Sequence, residues 1–137
     1  MWTEGLIHKI SQYLPFQYVE ILESYFNERR FQVQFGDAIS ETKPIAAGVP
    51  QGSVLGPLLY VMYTADMPTP NNTLTATFAD DTAILATHED HSTASVNLQA
   101  AANEFNNWAK RWKIKTNNTK SVRIDFALRP HPLRHTT

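Results

Sequence analysis

Thr73-Leu74-Thr75-Ala76-Thr77-Phe78-Ala79-Asp80-Asp81-Thr82-Ala83-Ile84-Leu85-Ala86-Thr87 is the most informative stretch of this 137-residue chain. Its two halves, Thr73 to Phe78 and Thr82 to Thr87, are rich in Thr and apolar residues and read as strands, which sets Asp80-Asp81 at the tip of a hairpin. In a regular strand, neighbouring side chains point to opposite faces. A tight turn relaxes that rule and lets both carboxylates approach one locus. Two like charges so close repel, and a bound divalent cation relieves the conflict. Oxygen donors of this kind suit Mg²⁺. A pair of such ions can clamp the attacking and leaving oxygens of an in-line displacement. An ordinary solvated turn, in which Asp is common, accounts for the pair as well.

About thirty residues upstream lies Gly48-Val49-Pro50-Gln51-Gly52-Ser53. Pro50 fixes φ and lacks an N–H, which suits a loop. Gly48 and Gly52 permit unusual backbone angles and close approach to a ligand. Gln51 carries two donors and an acceptor, enough to read a base edge or a sugar. A plain strand-to-helix loop is the alternative for Pro-Gln-Gly alone. The longer run Ala47 to Pro57 is more specific.

Working outward, Leu6, Ile7, Ile10 and Leu14 have helical spacing, so a short helix is predicted over Thr3 to Tyr13. Pro15 suits the first turn of a second helix, with Phe16, Val19, Leu22, Tyr25 and Phe26 as its apolar stripe. Arg29-Arg30 falls near that helix's C-terminal end, where cations favour the dipole. Phe31 to Phe35 alternates as a half-buried strand does, Gly36-Asp37 supplies a turn, and Ala38 to Pro44 is predicted to return. The apolar run Val54 to Asp66 is predicted to be helical from about Leu55 to Pro57 onward, ended by Pro68 and Pro70. Asp90 or Ser92 can cap a long helix whose stripe is Leu98, Ala101, Phe105, Trp108 and Trp112. That stripe reads as core rather than as a base-stacking surface. Val122, Ile124 and Phe126 alternate with Arg123 and Asp125, predicting a last strand, and Arg129 to Thr137 reads as a loose tail.

The composition suits one domain with a buried core, since 42% of residues are hydrophobic. There is no cysteine, so neither a disulfide framework nor a Cys zinc site. His8, His88, His91, His131 and His135 are scattered without ligand spacing. No apolar run approaches a membrane span and the N-terminus lacks signal-peptide character, so an intracellular protein, nuclear or cytoplasmic, with no membrane partner is expected. The net charge of -1 hides a division. From Ala109 onward eight Lys or Arg face one Asp, a net +7, whereas the first 108 residues carry a net -8. Such a split fits one face for cations and another for a polyanion, and equally a solvated basic tail.

Taken in order, Gly48 to Pro57, Phe78 to Asp81, Trp108 and Trp112, Asn117 to Lys120, and Ser121 to Phe126 resemble the successive motifs of non-LTR retrotransposon reverse transcriptases, most closely the jockey type. These are the motif B loop and helix, the motif C hairpin, a tryptophan-bearing helix, and the motif D turn and strand. The opening Trp2, Gly5-Leu6-Ile7 and Lys9 resembles the helix that follows motif A. The resemblance covers residues 1 to 128. It implies an α+β fold, an incomplete polymerase palm subdomain with a small antiparallel sheet and helices on one face. It implies RNA-directed DNA synthesis with Mg²⁺ or Mn²⁺, an RNA template, a DNA primer and deoxynucleoside triphosphates.

By the same resemblance, Asp80 is the nearer metal ligand and Asp81 sits beside it towards the primer end. Gln51 and Gly52 line the incoming nucleotide and the template base. Phe78, where Tyr is commoner, is an apolar plate near the primer. Lys120 is a candidate proton donor to pyrophosphate or a phosphate contact. Lys110, Arg111, Lys113 and Lys115 are candidate contacts to nucleic-acid backbone.

The third metal-binding carboxylate, of motif A, and the fingers that hold the triphosphate are expected upstream of residue 1, and the thumb downstream. A fragment inactive by itself is therefore the expectation. Two other classes stay open: a non-catalytic nucleic-acid-binding module derived from a retroelement, and a metal-dependent phosphotransferase or nuclease. The Gly48 to Pro57 run argues against the latter. Ala79 in place of Gly before the paired Asp argues against viral RNA-dependent polymerases.

Overall fold

A computed structural model describes residues 1–45, 47–50 and 52–126 of the chain. Its first helix, α1 (Thr3–Ile10), is shorter than the spacing predicts. Leu14 precedes Pro15, and the residue before a proline is disfavoured in the helical region. The chain therefore tightens through Ser11 to Tyr13, with the Tyr13 N–H donating to the Ile10 carbonyl at 3.0 Å. Pro15 then stands at the N-cap of α2 (Phe16–Phe26) rather than in its first turn.

Helix α2 ends before Arg29-Arg30, which corrects the expectation that those cations serve its dipole. Asn27 is extended and Glu28 takes a φ of 50°, and those two residues break the helical run. Arg30 instead opens a strand. The predicted half-buried strand from Phe31 to Phe35 is in fact two short pieces, β1 (Arg30–Phe31) and β2 (Gln34–Phe35), exposed throughout. They pair antiparallel with β4 (Lys43–Pro44) and β3 (Ala38–Ile39) respectively. Between the two pairings Ser40 intervenes. Its N–H donates to the Val33 carbonyl and its Oγ accepts from the Val33 N–H, both at 2.9 Å, so a side chain replaces a rung of the ladder. The result is a slender arm turning at Gly36, whose φ of 59° suits a residue without Cβ.

Helix α3 (Leu55–Thr64) follows the Gly48 to Ser53 loop. The hairpin strands β5 (Thr73–Phe78) and β6 (Asp81–Ala86) pair in full register, from Thr73 opposite Ala86 to Phe78 opposite Asp81. Helix α4 (His91–Arg111) begins at Asp90, whose carboxylate accepts from the Thr93 N–H at 2.8 Å and the Thr93 hydroxyl at 2.7 Å. Helix α4 packs on β5 and β6. The face holding Thr75, Ile84 and Ala86 is half-buried, whereas Leu74, Ala76, Phe78, Ala83 and Leu85 on the opposite face are exposed.

The core lies among the helices. Leu6, Ile10, Val19, Leu22, Phe26, Leu59 and Tyr63 form one buried cluster from α1, α2 and α3. Ala101, Trp108 and Ala109 bury the inner side of α4. A polar knot ties three of these helices. Lys9 is 5% exposed, and its ammonium donates to the Tyr63 carbonyl and to Asp66 and lies 3.7 Å from the centre of the Trp112 ring. Trp108 Nε1–H donates to the same Asp66 oxygen at 2.9 Å, and the Tyr63 hydroxyl donates to the Trp112 carbonyl. The α4 stripe is thus core, as predicted, with Leu98, Phe105 and Trp112 only half-buried.

No strand forms at Val122 to Phe126, contrary to the alternation there. A lone strand has no ladder to satisfy its backbone. Arg123 instead bonds Asp125 at 2.9 Å and the Ser95 hydroxyl of α4 at 2.7 Å, laying this segment beside the start of that helix. The predicted tail from Arg129 lies outside the described residues. Four helices and small antiparallel sheets among the described residues make the class α+β. No described helix is long and apolar enough to cross a membrane.

Candidate active site

The hairpin tip is two residues long, Ala79 and Asp80. Ala79 has a φ of 50°, and of the two central positions it alone is positive, the pattern of a type II′ rather than a I′ turn. A side chain at positive φ carries a cost of order 1 kcal/mol that glycine avoids. Something must hold it there. Tyr60, one turn into α3, does so: its hydroxyl donates to the Ala79 carbonyl at 2.8 Å. Burial pushes the Tyr60 phenol above its ordinary value, and the negative charge of Asp80 pushes it further the same way. Asp80 and Asp81 are both exposed, and Phe78, paired with Asp81, is 83% exposed. Asp80, Asp81 and Phe78 thus share one open turn.

The second part of the site is the loop before α3. Gly48 and Gly52 take φ values of 90° and 79°, which favour glycine, so their placement in the sequence has a backbone cause. Both ends of the loop are gripped from α2. Tyr25 donates its hydroxyl proton to Ser53 Oγ at 3.1 Å, and Arg29, just past the helix, donates from Nη1 to the Gly48 carbonyl at 2.7 Å. Ser53 Oγ also accepts the Leu55 N–H at 3.2 Å, which starts α3. Gly56 has its own reason: a Cβ there would meet the Pro50 carbonyl at 3.3 Å, so its absence lets the loop lie against the helix. Gln51 lies outside the described residues.

Loop and tip meet in one groove of about 850 Å³. Pro50, Gly52 and Ser53 of the loop, Tyr60 of α3, and Thr77 and Ala79 of the hairpin line it together. Gly52 thus shares a groove with the residue before Asp80. Lys120 does not line it: it sits exposed in the turn after Asn117, to whose carbonyl its N–H donates at 3.2 Å, and no hydrogen bond or ion pair joins it to the tip. Lys110 and Arg111 close the last turn of α4, Lys115 follows, and all are exposed. Lys113, also exposed, rests its ammonium 3.8 Å from the centre of the Trp2 ring.

Among the described residues no group of three or more His, Cys, Asp or Glu could hold a metal ion. Asp80 and Asp81 are the exposed acidic pair of the hairpin turn, next in sequence to the groove-lining Ala79, while Asp66 is committed to Lys9 and Trp108. Tyr25, Arg29 and Tyr60 have no part in the sequence reading beyond helix stripe and dipole. Tyr60 carried only a weak signal, a phenol in an apolar run that holds a second one at Tyr63. Arg29 and Tyr25 carried none, since their partners lie 19 and 28 residues away.

Residues 2–128 match the family described as reverse transcriptase (RNA-dependent DNA polymerase). The chain is 45% identical over 134 residues to the probable RNA-directed DNA polymerase from transposon X-element of Drosophila melanogaster, a match that covers 94% of this chain and 15% of that protein. To two others from the same species, the probable RNA-directed DNA polymerase from transposon BS and the RNA-directed DNA polymerase from mobile element jockey, it is 40% and 39% identical over 137 residues, with the same shares covered. The chain thus spans about 15% of the length of these curated relatives. No solved structure matches it.

Proposed function

The chain belongs to the reverse transcriptase family, and on that premise we propose that it is the palm segment of an RNA-directed DNA polymerase of a jockey-type non-LTR retrotransposon. The observation that carries this reading is the shared groove, lined by Pro50, Gly52 and Ser53 of the loop, by Tyr60, and by Ala79 of the turn that carries Asp80. A primer 3′-hydroxyl attacks the α-phosphate of a deoxynucleotide, and pyrophosphate leaves. The loop's backbone at Pro50 and Gly52 offers a close wall for the nucleotide, and Gln51 a side chain able to read its base or sugar.

Asp80 and Asp81 fit a hard divalent cation, Mg²⁺ or Mn²⁺. Both are exposed oxygen donors on one turn, able to supply part of a coordination shell whose remainder comes from water and substrate phosphates. Such an ion, when bound, neutralises charge on the reacting phosphate. The protein's own share is positioning. Phe78 offers an apolar surface beside Asp81, and Lys110, Arg111, Lys113 and Lys115 offer phosphate contacts for template and primer. Lys120 remains a candidate proton donor to pyrophosphate.

The test is primer extension on an RNA template. Residues 2–128 are placed in the X-element polymerase of D. melanogaster in place of its matching segment. Extension is expected there, and Asp80→Ala should reduce it by at least about a hundredfold, since the groups of such a site act as a unit. Residues 1–137 alone should give none, because two carboxylates do not fix the ions or the triphosphate. A folded chimera without activity would sink the polymerase reading and leave the non-catalytic nucleic-acid-binding module, which needs the exposed basic stretch and not the groove. Extension by residues 1–137 alone, lost in Asp80→Ala, would sink the fragment reading instead.

A further inference from the structure

A two-residue hairpin turn has one soft degree of freedom, the orientation of its central peptide. Rotating that peptide interconverts the I′ and II′ forms. In this turn the central peptide joins Ala79 to Asp80, and its oxygen is the Ala79 carbonyl. That oxygen is the atom the Tyr60 hydroxyl holds, at 2.8 Å, across 19 residues of sequence. The bond therefore acts on the peptide plane from which Asp80 projects. Ala79, an alanine at a φ of 50°, lacks glycine's freedom, so the turn needs an external hold more than most.

We propose that Tyr60 is a positioning residue for Asp80: by anchoring the Ala79 carbonyl it fixes the central peptide of the turn and so sets the carboxylate where a divalent cation would be met. The inference rests on the reading of this turn as a cation site. One feature supports it besides the bond itself. Tyr60 stands on α3, the helix that follows directly on the nucleotide loop, and lines the same groove as Gly52 and Ser53, so the bond ties the turn to the helix beside the loop.

The experiment is NMR on residues 1–137, in two arms. In the first, Mn²⁺ is titrated at neutral pH and broadening of the amide signals of residues 79–82 is followed in the native chain and in Tyr60→Phe. The variant keeps the ring and loses only the hydroxyl. Its half-point should need roughly threefold to tenfold more Mn²⁺, the effect of one hydrogen bond. A hydroxyl that merely stabilised the fold would lower the melting temperature and leave the half-point where it was. In the second arm, without metal, the amide signals of residues 79–81 are compared between the native chain and Tyr60→Phe. They should shift as the central peptide is freed, while the signals of β5 before Thr77 stay. An unchanged Mn²⁺ half-point in Tyr60→Phe overturns the proposal, as do unmoved signals at 79–81. If Mn²⁺ broadens nothing near the tip of the native chain, the cation reading of the turn fails by itself, and the second arm decides whether Tyr60 holds the turn.

Discussion

Thr75 shows how much a single atom can weigh. It sits in β5 opposite Ile84, on the face that α4 covers, and its Oγ1 is buried with no hydrogen-bond partner among the described residues. A hydroxyl removed from water without a partner costs on the order of 1–3 kcal/mol. Valine has nearly the same shape, keeps the β-branch and removes that demand. Thr75→Val is therefore expected to stabilise the chain by about 1 kcal/mol and raise its melting temperature by a few degrees in a thermal denaturation followed by circular dichroism. A lower melting temperature would mean that the hydroxyl has a partner, such as a water. Tyr60 is the contrasting case, since its hydroxyl is used at a distance from its own helix and its loss is expected to show in the Asp80 turn.

Between elements, the Lys9 knot decides how α1, α3 and α4 are joined. Burial pushes the Asp66 carboxyl up, and the bonds from Lys9 and Trp108 outweigh it, so the group ends below its ordinary 3.8. Burial pushes the Lys9 ammonium below its ordinary 10.5, and Asp66 offsets this only in part. A carboxyl depressed on folding contributes stability that is fully present above about pH 4 and fades as pH falls through its folded value. Asp66 is partly exposed, so the contribution is no more than about 1 kcal/mol. Urea midpoints measured from pH 6 down to pH 2.5 should therefore fall less steeply in Asp66→Asn than in the native chain. Equal slopes would show that the carboxylate is not held in solution as it is here. The knot also marks the limit of what the sequence could tell. The β5–β6 hairpin and the four helices were legible because each has a local signal: runs rich in Thr and apolar residues on either side of Asp80-Asp81, an apolar run or 3.6-residue stripe, a cap at Asp90. The Gly48 and Gly52 loop was legible because its backbone angles need glycine. Lys9 bonding Asp66 across 57 residues has no such signal. The strand predicted at Val122 to Phe126 failed for the converse reason, because alternation reports a face to bury and says nothing about whether a partner strand exists.

At the scale of the whole molecule, charge and apolar surface are unevenly divided. The acidic turn at Asp80 and Asp81 belongs to the part of the chain that carries a net -8, and the exposed Lys110, Arg111, Lys113 and Lys115 to the part that carries a net +7. No lysine or arginine lies between Pro44 and Ala109, so Asp80 and Asp81 have no close cationic neighbour in sequence, while the Gly48 loop is held by Arg29. A polyanion is then expected to engage the basic end through its phosphates, and each contact made displaces condensed counterions. Binding should be nearly independent of sequence and should weaken steeply with salt. Lys115 is the cleaner probe of this, since Lys113 already rests against Trp2 and its removal also strips that contact. Fluorescence anisotropy with a labelled single-stranded RNA, measured from low to high salt, gives a slope of log affinity on log salt. Lys115→Ala should flatten that slope by roughly 0.7 for one lost phosphate contact on a single strand. Lys113→Ala should flatten it by a similar amount and lower the melting temperature as well, because α4's end loses its hold on Trp2. Native binding with no dependence on salt would exclude phosphate contacts as its source. A slope that is steep but unchanged in both variants would move the nucleic-acid face away from this end of α4.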